Sequence, residues 1–190
     1  MKLITILNTI SAMALIVCFT SCEQKKQTED SAEVAKEQND SIFNDRDVEK
    51  DADFVVNTVA GNYAEIKLAQ LALNKSSDSK VKEMATMLEA DHTKILNELK
   101  AYADKNGIVV PMEETDDAAK DMDKLAEKDA KAFDEEWCEM LEDKHQKTID
   151  NFEARIDKTE DAELKDWISA TLPALKSHHE MLKQHEDTMK

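Results

Sequence analysis

Two glycines and two prolines in 190 residues leave this chain few places to turn. Strands joined by tight turns need such residues, so the economical reading is long helices. The apolar spacing agrees: from Asp51 onward, apolar residues recur alternately three and four apart for the rest of the chain, the stripe a helix turns toward a core. Four long helices are predicted. The first runs over 51–74, and Ser76 to Ser79 break it and cap the second. The second closes on Lys105, Asn106 and Gly107, with Pro111 beyond, a cation and a left-handed cap at its negative end. A short extra helix over 116–128 precedes the third, 130–158. The fourth starts near Thr159, whose hydroxyl suits an N-cap, and should kink at Pro173. Short links make the first and last pairs antiparallel, which predicts an all-α, up-down four-helix bundle over 51–190.

The first 50 residues read differently. Met1 and Lys2 lead into a mostly apolar run from Leu3 to Phe19, too short and too abruptly ended to span a bilayer, which reads as a signal peptide over 1–21. Phe19, Thr20, Ser21 and Cys22 resemble a lipobox, which implies cleavage before Cys22 and its lipidation; ordinary signal cleavage nearby is the alternative. Lipidation predicts a protein of the cell envelope, anchored in the outer membrane through its lipid and facing the periplasm or the outside. Cys138 is then the sole thiol of the mature chain, and no internal disulfide can form. Residues 22–50 carry little apolar surface and are expected to be a disordered polar tether, at most about 95 Å long when extended. A net charge of −17 disfavours nucleic acid and anionic lipid surfaces as partners.

The polar interruptions of the apolar seams carry the functional reading. His92 follows Val81, Ala85 and Leu88; His145 follows Phe133, Trp137 and Leu141; His178 follows Leu164, Ile168, Thr171 and Leu175. Each histidine therefore occupies a core position. On the first helix Thr58, Asn62, Glu65, Ala69 and Ala72 form a small or polar stripe, with the Glu65 carboxylate at its centre. Glu89 and Glu142 stand three residues before His92 and His145, the Glu-x-x-His spacing of carboxylate-bridged di-metal bundles. Glu65, Glu89, His92, Glu142, His145 and His178 are the candidate ligands of a transition metal: iron, zinc or copper. The competing reading is a structural polar core of hydrogen-bonded histidines. Helix rise places His178 about 9 Å out of level with His145, which argues against one compact site. A soft-metal site on His178, Met181 and His185 is a further candidate. No phosphate-binding glycine loop and no catalytic residue is assigned.

Phe54-Val55, Gly61-Asn62 with Glu65-Ile66, Asp91-His92-Thr93-Lys94, Gly107-Ile108 with Pro111, His145 with Phe152-Glu153, and Thr171-Leu172-Pro173 with His178 resemble, as a set, the family numbered 4142 among domains of unknown function. The resemblance implies a ferritin-like four-helix bundle exported by bacteria. Two positions depart from it: Lys144 precedes His145 where the family has Asp, and Leu175, not a ferritin-type Glu, stands three before His178. The expected function is an envelope lipoprotein of unassigned molecular activity whose core holds a metal or ligand. A metal-dependent redox or storage protein, and an envelope protein-interaction module, are the rivals.

Overall fold

A computed structural model of the chain describes residues 30–189. The predicted signal peptide and Cys22 lie outside them. The described residues form six helices and no strand: α1 Ser31–Ile42, α2 Arg46–Lys75, α3 Ser79–Asn106, α4 Asp116–Ala126, α5 Ala130–Ile156 and α6 Ala162–Met189. None of these helices is long and apolar enough to cross a membrane.

Short polar side chains start the helices. Asp30, Asp45, Asp78, Thr115 and Asp129 each accept from first-turn amides of the helix that follows, satisfying donors with no intrahelical partner. Gly107 ends α3 at φ 69°, where a side chain would meet its own backbone, and the Ile108 amide returns to Ala103 O at 2.9 Å. The expected cap at Thr159 is displaced: Asp161 accepts from the Leu164 amide at 2.8 Å, and the Thr159 hydroxyl donates to Asp51 at 2.9 Å. The long helix α6 runs unbroken through Pro173.

The four long helices share a core. Near one end Phe54, Val59, Leu99, Phe152, Leu164 and Ile168 pack together; near the other Leu68, Met84, Leu88, Trp137, Leu141 and Leu182 do so. Helix α2 packs chiefly on α3, and α5 on α6. Trp137 joins the pairs at this second end, its indole donating to Leu68 O at 2.9 Å. Cys138 is buried there as a free thiol, and burial pushes its pKa up to about 12, so it stays a protonated hydrophobe.

The disordered tether expected over 22–50 is corrected from Ser31 onward. Ala32 and Ala35 of α1 pack on Val56 and Ala60 of α2, which is why α2 is apolar nearly all round: it has two faces to bury. Asn39, with no exposed surface, donates to Val109 O and accepts from Val109 N, both at 2.8 Å, replacing for that loop the partner strand it lacks. Asn39→Ala leaves both Val109 groups unpaired. A loss of about 2 kcal/mol in urea unfolding is expected, and a change inside experimental error would show that α1 does not hold the loop.

Candidate metal centre

His92 of α3, His145 of α5 and His178 of α6 meet midway along the helices, all buried. Their ring centroids form a near-equilateral triangle with sides of 5.3, 5.5 and 5.4 Å. One ligand nitrogen from each lies within 4.8 Å of the other two. The expected mismatch in level between His145 and His178 is overturned. Side chains lean toward the N-terminus of their own helix, so on antiparallel α5 and α6 these two imidazoles lean toward one another and close the axial gap.

Each ring has one nitrogen tied to a partner outside the triangle. Asn62 donates its Nδ2 to Thr58 O at 2.7 Å, which turns its Oδ1 toward His92 Nδ1 at 2.9 Å and places the ring proton on that nitrogen. His145 Nδ1 donates to Leu141 O at 2.8 Å. His178 Nε2 lies 2.9 Å from Asp91 Oδ2, and its Nδ1 is buried without a hydrogen-bond partner. As a result the His92 and His145 Nε2 atoms face each other at 3.3 Å as two lone pairs. Glu65 Oε2, buried and without a hydrogen-bond partner, lies 3.3 Å from His92 Nε2 and 3.5 Å from His145 Nδ1.

The electrostatics keep the cluster neutral. Burial lowers the pKa of His92 well below the usual imidazole range, helped by His145 and His178. Burial likewise takes His145 down to about 4, against the pull of its bond to Leu141, and lowers His178 against the pull of Asp91. Burial raises Glu65 to about 8, partly countered by Lys144 and His178. Near pH 7 the site is three neutral imidazoles beside a protonated carboxyl.

A pH dependence of the metal-free protein follows. Between the usual carboxylate value of 4.5 and about 8, Glu65 holds its proton in the folded state and loses it in the unfolded one, so its contribution to stability falls as pH rises through that window. In chelator-treated protein, Glu65→Gln is expected to equal the parent near pH 4 and to exceed it near pH 9 by a few kcal/mol, on the order of the shift. Denaturant melts at the two pH values test this; an equal difference at both would contradict it. His145 acts in the opposite sense: with its folded value about 4 against 6.5 unfolded, it removes stability as pH falls below 6.5.

Not every predicted ligand arrives. Glu89 is held by Gln70 Nε2 at 2.8 Å, and Glu142 pairs with His179 Nε2 at 2.9 Å. A residue three positions before a seam histidine sits on the flank of the helix, and here neighbouring polar side chains take both carboxylates. The structure brings together one carboxylate and three imidazoles, and the doubled Glu-x-x-His arrangement does not form. Asn62 and Asp91, which hold two of the rings, were not among the predicted site residues, although both stand within the stripe and motif that flagged Glu65 and His92.

A family model described as Domain of unknown function (DUF4142) matches residues 32–185. The chain belongs to this family. The DUF4142 match begins within α1, so residues 32–50 of the expected tether fall inside it, and it takes in every residue of the histidine centre. Outside DUF4142 as a name, a solved structure of CopM in the Cu(II)-bound form is similar, with a TM-score of 0.64 and 20% identity, covering 74% of this chain and 97% of that one. At that identity the likeness is one of helical fold. No curated protein matches the chain.

Proposed function

We propose that this protein binds one transition-metal ion, copper foremost, on His92, His145 and His178, with Glu65 as a fourth ligand, in a ferritin-like four-helix bundle tethered to the cell envelope through Cys22. The observation that carries the reading is the pair of imidazole lone pairs facing each other at 3.3 Å while Nδ1 of each ring is tied outward. Two nitrogens at about 2.0–2.1 Å from a tetrahedral ion stand roughly 3.3 Å apart. A buried polar core built for its own hydrogen bonds would place a proton between such atoms. Outward bonds to a carbonyl, an amide oxygen and a carboxylate are the arrangement that orients metal-ligating histidines. Glu65 Oε2 and His178 Nδ1, buried and unpartnered, are donors a cation would satisfy.

Imidazole suits copper and zinc alike, and the copper-bound state of the similar CopM structure makes copper the first ion to test. Metal analysis of untagged protein after dialysis is the test; retention well below one ion per chain for every first-row metal would end the proposal. The envelope tether rests on the apolar run that precedes Cys22. Palmitate labelling is expected in the wild type and lost in Cys22→Ser, and labelling that persists would refute it.

A further inference from the structure

We propose that the groove between α2 and α5 binds a small organic acid, its carboxylate drawn to Arg155 and the lysines at the groove's outer end and its apolar body resting on Phe54 and Phe152. The groove exists because of the small and polar stripe on α2. Asn57, Thr58, Gly61 and Asn62 face α5 across the seam, and the gap left is a cavity of about 350 Å³ that reaches inward to Glu65 and His92. That volume falls in the range of small-molecule sites, about 300–1,000 Å³.

Gly61 is costly where it stands, since a glycine inside a helix weakens it by roughly 0.5–1 kcal/mol relative to alanine. It relieves no crowding: a Cβ there would meet nothing within 4 Å. Its effect is to leave the mouth of the groove open.

The charge of the groove selects the ligand class. The chain carries a net −17, yet Lys50, Arg155 and Lys158 line this cavity against Asp53 and Glu65. Arg155 is only 8% exposed, with Asp51 on its Nε side and its Nη2 closed to solvent, so it attracts a carboxylate through its charge in the cavity wall while the lysines at the outer end offer the contacts. Phe54, Ile95, Phe152 and Leu175 supply apolar wall, so the fitting ligand pairs one carboxylate with an apolar body.

Benzoate and its uncharged analogue benzamide, titrated into chelator-treated protein and followed by amide shifts of Asn57, Gly61 and Asn151, test the proposal. Benzoate is expected to bind saturably and at least tenfold more tightly than benzamide. Gly61→Phe, which fills the mouth, is expected to weaken benzoate at least tenfold with no fall in melting temperature, and Lys50→Gln with Lys158→Gln to weaken it several-fold. Equal binding of the two probes, absence of a saturable shift, or unchanged affinity in a folded Gly61→Phe protein would overturn it. Because the titration is free of metal, its failure beside full copper retention removes the groove alone, and the converse removes the metal centre alone.

Discussion

Untagged protein loaded with copper is expected to keep about one ion per chain through dialysis, and His145→Ala to keep less than a tenth of that. The effect should be large because the three imidazoles are already gathered and buried, so truncating one removes one of only three nitrogen ligands. His92→Ala and His178→Ala should behave alike. The outer partners give the finer test: Asn62→Ala and Asp91→Ala leave every ligand in place but release two rings, and affinity should fall about 10–100-fold. A polar core with no metal role predicts something else, namely that Asn62→Ala changes stability and leaves metal retention untouched. Competition with a chelator of known affinity, run beside thermal melts, separates the two readings.

The second large effect is expected at the far end of the same helices. Arg155→Met should lower the unfolding free energy by about 3–5 kcal/mol, because it strands a buried carboxylate. Arg155 Nε stands 2.7 Å from Asp51 Oδ1, off the line of a hydrogen bond but close enough for charge to act, and Thr159 donates to the other oxygen at 2.9 Å. Even so, burial outweighs both partners and raises the pKa of Asp51 above its usual range. Pairing Arg155→Met with Asp51→Leu should recover most of the loss, since a buried ion pair replaced as a unit by apolar groups is often neutral. Chevron or urea data in which the double variant is as unstable as the sum of the singles would show that the two residues act independently.

The sequence carried the seams and not the flanks. Helical periodicity marked Val81, Leu88, Trp137, Leu141 and Ile168 as core, and the same arithmetic singled out His92, His145 and His178 because a polar residue in an apolar stripe breaks a pattern that can be counted. Glu65 was legible for a different reason, as the carboxylate at the centre of the small and polar stripe on α2. Local spacing failed where a partner distant in sequence decides the outcome. Glu89 and Glu142 had the right offset but were taken by Gln70 and His179, and the Asp51 to Arg155 pair joins residues with no local signal between them. Helix α1 reads as at most transient helix within a tether because its buried face consists of Ala32, Ala35 and Asn39, small residues in a charged segment whose value appears only against the surface of α2. Backbone rise alone leaves His178 out of level with His145; the lean of the two side chains toward one another removes the difference.

The docking of α1 changes how a membrane-anchored form of this protein would sit. Only seven residues lie between Cys22 and Asp30, the first described residue, so eight chain steps give a reach of at most about 27 Å. In a chain of net charge −17, a folded body on so short a lead would not roam the envelope. It would ride close to the headgroups, with repulsion from an anionic leaflet holding it off the surface within a few screening lengths. Any pull on the lipid would enter the body through α1, and the two hydrogen bonds of Asn39 would be among the first to carry the load.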